Sequence, residues 1–366
     1  MASWFLDGYY KDKTDWEIVK SFGRRKMTID SRTLIRRIIN GESVPRSGFW
    51  MGNPHADSWP LLRSYFQAES NEEVRRVLRD DLSWLPCDGG YKANGGQPFP
   101  NPRKSEGLSA AGIFSDCESL AEVEAYPWPA PEAFDFSAEL AAVRGAGDRY
   151  RASGMWSPFF HLVGDLFGME NYFIKMYTHP EIVKAVTGHV VDFYLAGTER
   201  FFREAGEDVD GFFFGNDFGT QLDIMISPDA FQEFVFPYFK KLTDLGHAAG
   251  KQVLLHSCGA IVKVIPDLIR LGVDALHPLQ ACAAHMEAES LAQFRGRLAF
   301  FGGIDTQHLL VHGTPDAIRA DVRRGRRCLA PSLIVSPSHE ALLPNVPPAN
   351  VQAMSEAAHE PYLPIR

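Results

Sequence analysis

A histidine and a cysteine stand two residues apart in His256-Ser257-Cys258, at the end of the apolar run Lys251-Gln-Val-Leu-Leu255. Val253, Leu254 and Leu255 read as a buried strand. Side chains alternate across a strand, so His256 and Cys258 share one face and Ser257 takes the other. Gly259 ends the strand, and Ile261 to Leu271 reads as the next helix. A soft thiolate and an imidazole then lie side by side where a strand runs out into a loop. That is half of a tetrahedral zinc site. The competing interpretation is a buried thiol beside a hydrogen-bonded core histidine.

Other candidates fall at similar places. Asp217 and Asn216 follow a strand-like run ending near Gly215, and Gln221 reaches the same region. Asp217 reads as catalytic or substrate-binding, with capping of the following turn as the alternative. In Asn53-Pro-His55-Ala-Asp57, His55 suits a general base, a substrate ligand or a metal ligand. Asp57 reads as the N-cap of a helix over Trp59–Tyr65, with orientation of His55 as the alternative. In Gly302-Gly-Ile-Asp305-Thr-Gln307, paired glycines permit close approach of a ligand. Asp305 there contacts substrate or orders the turn. Gln280 and Cys282 follow the short run ending at His277. Gln280 is a substrate-binding candidate, and Cys282 is a further candidate ligand or a small buried hydrophobe. His277 and His308 are expected to be structural, and Arg323-Arg-Gly-Arg-Arg327 reads as a solvated helix face.

The elements that must position these groups alternate. Strand-like runs at Val209–Phe214, Gln252–His256, Ala275–His277, Leu298–Gly302 and Leu333–Ser336 interleave with helix-like runs, which implies βα units and a parallel sheet. Helix starts are marked by Ser227-Pro-Asp229 and Thr314-Pro-Asp316, with His179-Pro-Glu181 as a variant. Proline at the first helical position and an acid in the first turn suit the orphan amides and the helix dipole. The stretch from Arg46 to Ala130 is instead rich in Gly, Pro and aromatics. Within it, residues 88–104 read as a lid over a cleft or as a passive surface loop.

Composition sets limits. A chain of 366 residues with 45% hydrophobic content can bury one large core. A net charge of -9 argues against nucleic acid or an anionic membrane as partner. Five unevenly spaced cysteines do not form a disulfide framework, so a reducing cytoplasm is expected. Neither a signal peptide nor a membrane-spanning apolar run is evident.

Leu255-His-Ser-Cys-Gly-Ala-Ile261, Ile265 to Gln280, and Phe301-Gly-Gly-Ile-Asp-Thr-Gln307 together resemble the uroporphyrinogen decarboxylase superfamily. So do Gly215-Asn-Asp-Phe-Gly-Thr-Gln221 and Ser336-Pro-Ser-His-Glu340. The resemblance implies a single (β/α)8 TIM barrel over residues 1–366, with residues 1–44 as an N-terminal extension and the cleft at the strands' C-terminal ends. One branch of the superfamily decarboxylates the acetate arms of uroporphyrinogen without a cofactor. It typically carries an Arg-Gln-Ala-Gly-Arg-Tyr motif on the first strand. Here the matching place reads Phe49-Trp-Met-Gly-Asn-Pro-His55, and no arginine lies between Phe49 and Arg63. The substrate's many carboxylates would lack counter-charges.

The other branch holds methyltransferases that use zinc and a corrinoid carrier protein. It typically shows His-x-Cys and a later Cys. In this chain His339 stands where that Cys is expected, so the resemblance implies Zn2+ on His256, Cys258 and His339. Asp80 and Asp81 fall near the decarboxylase branch's key aspartate, which makes Asp81 a candidate for proton transfer beside Asp217 and His55. The expected function is a zinc-dependent methyltransferase or demethylase acting on a small methylated substrate, with a corrinoid protein as partner. A metal-free decarboxylase or lyase of a small non-porphyrin acid is the alternative. Oligomeric state is left open, a homodimer being one form.

Overall fold

The computed structural model describes residues 29–100, 107 and 110–362. Among them, parallel strands run around a barrel: β1 Gly48–Phe49, β2 Leu82–Pro86, β3 Tyr150–Gly154, β4 Gly211–Gly215, β5 Gln252–His256, β6 Ala275–His277, β7 Ala299–Ile304 and β8 Leu333–Pro337. Each of β2 to β7 pairs with the next, and β8 pairs with β1. The last seam, β1 to β2, is joined by the Asp81 N–H donating to the Phe49 carbonyl at 2.9 Å. This is the (β/α)8 TIM barrel.

Pairing register decides which side chains meet. Gly215 lies opposite His256, and His256 lies opposite His277. Three strand ends therefore come level on one rim. Along β5 the alternation holds: Val253 and Leu255 join the apolar layer between sheet and helices, while His256 turns inward. The lumen below it is filled by Trp50, Phe213, Phe301 and His277 in mutual ring contact.

Helix starts follow their caps. Ser227 Oγ accepts the Ala230 N–H and Thr314 Oγ1 accepts the Ala317 N–H, each at 3.2 Å. The imidazole of His179 makes no such bond before Pro180–Ala205. The helix expected from Ile261 begins at Ile265, because Pro266 belongs in a first turn, where its missing N–H is harmless. Asp57 precedes the helix Ser58–Phe66 but gives it no side-chain cap. Its carboxylate instead faces His55 Nδ1 at 3.4 Å.

The strands' N-terminal ends carry a charged floor. The Asp81 carboxylate accepts from Ser31 Oγ (2.6 Å), Arg46 Nη1 (2.7 Å), Arg46 Nη2 (2.9 Å) and the Phe49 N–H (3.0 Å). Asp80 accepts the Met51 N–H and pairs with Arg75. Asp210 holds Arg32, Arg36 and the Arg151 N–H. Arg32 and Arg36 sit on the helix Ser31–Ile39, so part of the expected N-terminal extension is fastened to this floor. Residues 1–28 of that extension lie outside the described residues. No described helix is long and apolar enough to cross a membrane.

Of the segment expected to cover the mouth, residues 101–104 lie outside the described residues. The part before them is anchored by its aromatics. Tyr91 packs on Phe134 and Phe193, and buried Phe99 packs on Phe193 and Tyr194.

Candidate metal centre at the barrel mouth

His256 is held by its strand, and its two ring nitrogens face different company. Nε2 lies 3.3 Å from Cys258 Sγ and 3.5 Å from Asp217 Oδ1. Nδ1 lies 2.9 Å from His277 Nδ1 and 3.6 Å from Glu340 Oε2. Ser257 turns away, its Oγ accepting the Phe218 N–H. The pair expected on one face is therefore on one face.

Cys258 sits on a loop fixed from both sides. Its N–H donates to Asp217 Oδ1 at 2.7 Å, and the next N–H, of Gly259, donates to Gln280 Oε1 at 2.7 Å. Gly259 has φ +89°, and a Cβ there would meet the Gly219 carbonyl carbon at 2.4 Å. Only glycine lets the loops after β4 and β5 touch this closely, and that contact brings Asp217 to Cys258. Asn216 is buried as a clamp: its Oδ1 accepts the Phe160 N–H and its Nδ2 donates to the Ser157 carbonyl. That spends the amide expected to meet substrate.

The donor atoms of Asp217, His256 and Cys258 lie within 4.8 Å of one another. His339 is outside this group. Its ring stands edge-on to His256 at a centroid distance of 6.1 Å, and its Nδ1 accepts the Ala341 N–H at 3.1 Å. Cys282 is also elsewhere, grouped with Asp305 and His308. Asp305 orders its turn by accepting the Gln307, His308 and Leu309 amides. Burial, with Asp305 alongside, pushes the Cys282 thiol up to about 11. Asn53, His55 and Gln221 are exposed on the rim. Asp81 stands at the opposite end of the barrel, ion-paired with Arg46, so the structure does not bring it to the mouth. Its position in sequence, just before β2, puts it at that strand's wrong end.

Among the described residues, no Lys or Arg side chain pairs with Asp217, Glu340 or Cys258. Glu340 Oε2 is buried without a hydrogen-bond partner. Burial pushes the Cys258 thiol well up, and the Asp217 and Glu340 carboxylates push the same way. Burial also holds His256 below the ordinary histidine range, against the pull of Glu340 and Asp217. A soft sulfur, an imidazole and a carboxylate, gathered without a counter-charge, form a donor set that a divalent metal such as zinc satisfies.

Sequence reasoning missed three neighbours. Trp156 lies over His256 at 5.2 Å between ring centroids, in the space left by Gly215, where a Cβ would strike its indole at 2.1 Å. Glu340 was legible only as a neighbour of His339. Asp88, at the C-terminal end of β2, accepts the Trp156 N–H at 3.0 Å. Its burial pushes its carboxyl from an ordinary 3.8 up to about 6. A carboxyl with a raised folded pKa holds its proton more tightly in the folded protein. Its stability contribution is therefore lost as pH rises from about 4 to about 6. Asp88→Asn is expected to stabilise the protein by ~2 kcal/mol at pH 7 and to give almost no gain near pH ~4. Urea denaturation at the two pH values measures this, and equal gains at both would contradict it.

No curated protein sequence matches the chain significantly. A methyltransferase from Methanosarcina mazei superposes with a TM-score of 0.62 at 15% identity, covering 90% of this chain and 98% of its own. A protein described as a vitamin-B12-independent methionine synthase from Listeria monocytogenes gives a TM-score of 0.40 at 10% identity, over 87% of this chain and 95% of its own. The profile of the family described as uroporphyrinogen decarboxylase (URO-D) matches residues 139–361, more than half of the chain, and the chain belongs to that family.

Proposed function

We propose that this protein is a zinc-dependent methyltransferase or demethylase of a small methylated substrate, with a corrinoid protein as methyl carrier. The observation that carries this is the convergence of Asp217, His256 and Cys258 donors within 4.8 Å at the barrel mouth, with no Lys or Arg among the described residues paired to them. The fold shared with the Methanosarcina mazei methyltransferase supports it. Zinc, when bound, supplies Lewis acidity toward the substrate's heteroatom or holds a thiolate acceptor.

The chain's own residues do the rest. Cys258, His256 and Asp217 hold the metal, and Asp217 takes the third place expected of His339. Gln280 and Gly259 fix the loop that carries Cys258, so the sulfur is positioned before anything binds. Trp156 and Trp84, with ring centroids 5.0 Å apart and planes tilted by 47°, wall the centre against water. Glu340, 3.6 Å from His256 Nδ1 and beside half-exposed His339, is placed to take up or release a proton at the edge of the centre. Asn53, His55 and Gln221 meet the outer part of the substrate or its carrier.

The test is methyl transfer to free cob(I)alamin from a panel of small aryl methyl ethers and methylamines. Methylcobalamin formation that requires zinc supports the proposal. Turnover that persists in zinc-free protein overturns it.

Uroporphyrinogen is not expected to be a substrate. The described lumen around His256 and His277 is aromatic, and β1 brings no arginine to it. Incubation with uroporphyrinogen should yield no coproporphyrinogen, and a detectable yield at low enzyme concentration would contradict the charge reasoning.

A further inference from the structure

His277, expected to be structural, is fully buried and touches His256 through a single short contact, Nδ1 to Nδ1 at 2.9 Å. A contact of this length between two neutral imidazoles needs one proton between them, so one ring donates and the other accepts. Two arrangements are possible. In the first, His256 Nδ1–H donates to His277 Nδ1, and His256 Nε2 keeps a free lone pair. In the second, His277 Nδ1–H donates to His256 Nδ1, and the proton on His256 sits at Nε2, where it blocks that nitrogen as a ligand.

Two observations choose between them. His277 Nε2 is buried with no hydrogen-bond partner. Its ring is enclosed by Phe213 at 5.3 Å and 88°, Trp50 at 5.5 Å and 62°, and Phe301 at 4.6 Å and 55°. The faces of aromatic rings are negative, so an N–H is tolerated against them and a lone pair is repelled. The second observation is Glu340, whose Oε2 lies 3.6 Å from His256 Nδ1 and favours a proton on that nitrogen; its other near neighbour, His339 Nδ1 at 3.2 Å, already accepts the Ala341 N–H and has no proton to offer. Asp217, 3.5 Å from His256 Nε2, pulls the other way, but the same oxygen already accepts the Cys258 N–H.

We propose that His277 is a positioning residue: its aromatic cage fixes the Nε2–H tautomer of His277, which accepts from His256 Nδ1–H and leaves His256 Nε2 free to bind the metal. The metal part of this rests on the function proposed above, while the tautomer part does not. Metal-bound histidines commonly donate their second ring N–H to a carboxylate, a carbonyl or water. Here a second histidine accepts it, and the far nitrogen of that histidine is buried among aromatic rings rather than tied by a further hydrogen bond.

The test has two arms. In zinc-free wild-type protein labelled with 15N at histidine, the ring shifts of His256 should report a protonated Nδ1 and an unprotonated Nε2, and those of His277 the reverse. The opposite assignment overturns the proposal whether or not the protein binds zinc. In the second arm, Co2+ and Zn2+ affinities are compared across variants using the thiolate-to-cobalt absorption band. His277→Phe keeps the ring and removes the acceptor, and should lose roughly 10–100-fold in affinity. His277→Asn restores an acceptor and should recover most of that loss. Equal affinity of wild type and His277→Phe overturns the positioning role, as does failure of His277→Asn to bind better than His277→Phe. A wild type that binds neither ion would sink the metal part, and the 15N shifts would still decide the tautomer.

Discussion

Cys258→Ser is expected to lose the metal and the methyl-transfer activity together while the barrel stays folded. The sulfur is the soft donor of the set, and a serine hydroxyl is a poor zinc ligand at neutral pH. The zinc affinity should fall by more than the ~100-fold that loss of an outer-shell partner costs. Folding should hardly change, because the Cys258 backbone N–H still donates to Asp217 and the side chain is not part of the apolar layer. Competition with a chromogenic chelator reads the affinity, and the far-ultraviolet circular dichroism melt reads the fold. Wild-type turnover by the serine variant would remove the thiolate from the chemistry.

Asp81→Ala is expected to do the opposite: destabilise the barrel strongly and leave turnover per folded molecule unchanged within about twofold. The Asp81 carboxylate is fully buried and accepts four hydrogen bonds, two of them from Arg46. Removing it strands the Arg46 charge and the Phe49 N–H at the seam between β1 and β2. Breaking a buried pair from one side costs about 3–5 kcal/mol. Asp81→Asn keeps an acceptor and should cost less. Urea denaturation measures both variants. A turnover loss in Asp81→Asn with unchanged stability would return Asp81 to the proton-transfer role that its place in the sequence suggested.

That role illustrates where sequence reading stops. Along β5, alternation alone places His256 and Cys258 on one face, and the structure agrees because period and burial point the same way. The limits of the five later strands, to within two residues, and the proline-marked helix starts at Pro228 and Pro315 are legible for the same reason: local chemistry dictates them. Which end of a strand a residue occupies is not local. Asp81 and Asp88 flank the same β2, yet one joins the floor and the other the mouth, and that depends on where the strand begins. The partnership of His256 with His277 depends on register between β5 and β6, which neither run encodes by itself. The nearness of Asp217 to His256 and Cys258 depends on two loops meeting where Gly219 faces Gly259, a contact across 40 residues of chain that only the closed barrel creates.

The measurement closest to the central claim is the zinc content of protein purified without chelator, determined by elemental analysis beside Cys258→Ser. The wild type is expected to carry about one zinc per chain and the variant almost none, as a three-donor protein site with an open fourth position requires. Absence of stoichiometric metal from an active wild type, or equal zinc in the two proteins, would contradict a metal centre built on His256, Cys258 and Asp217.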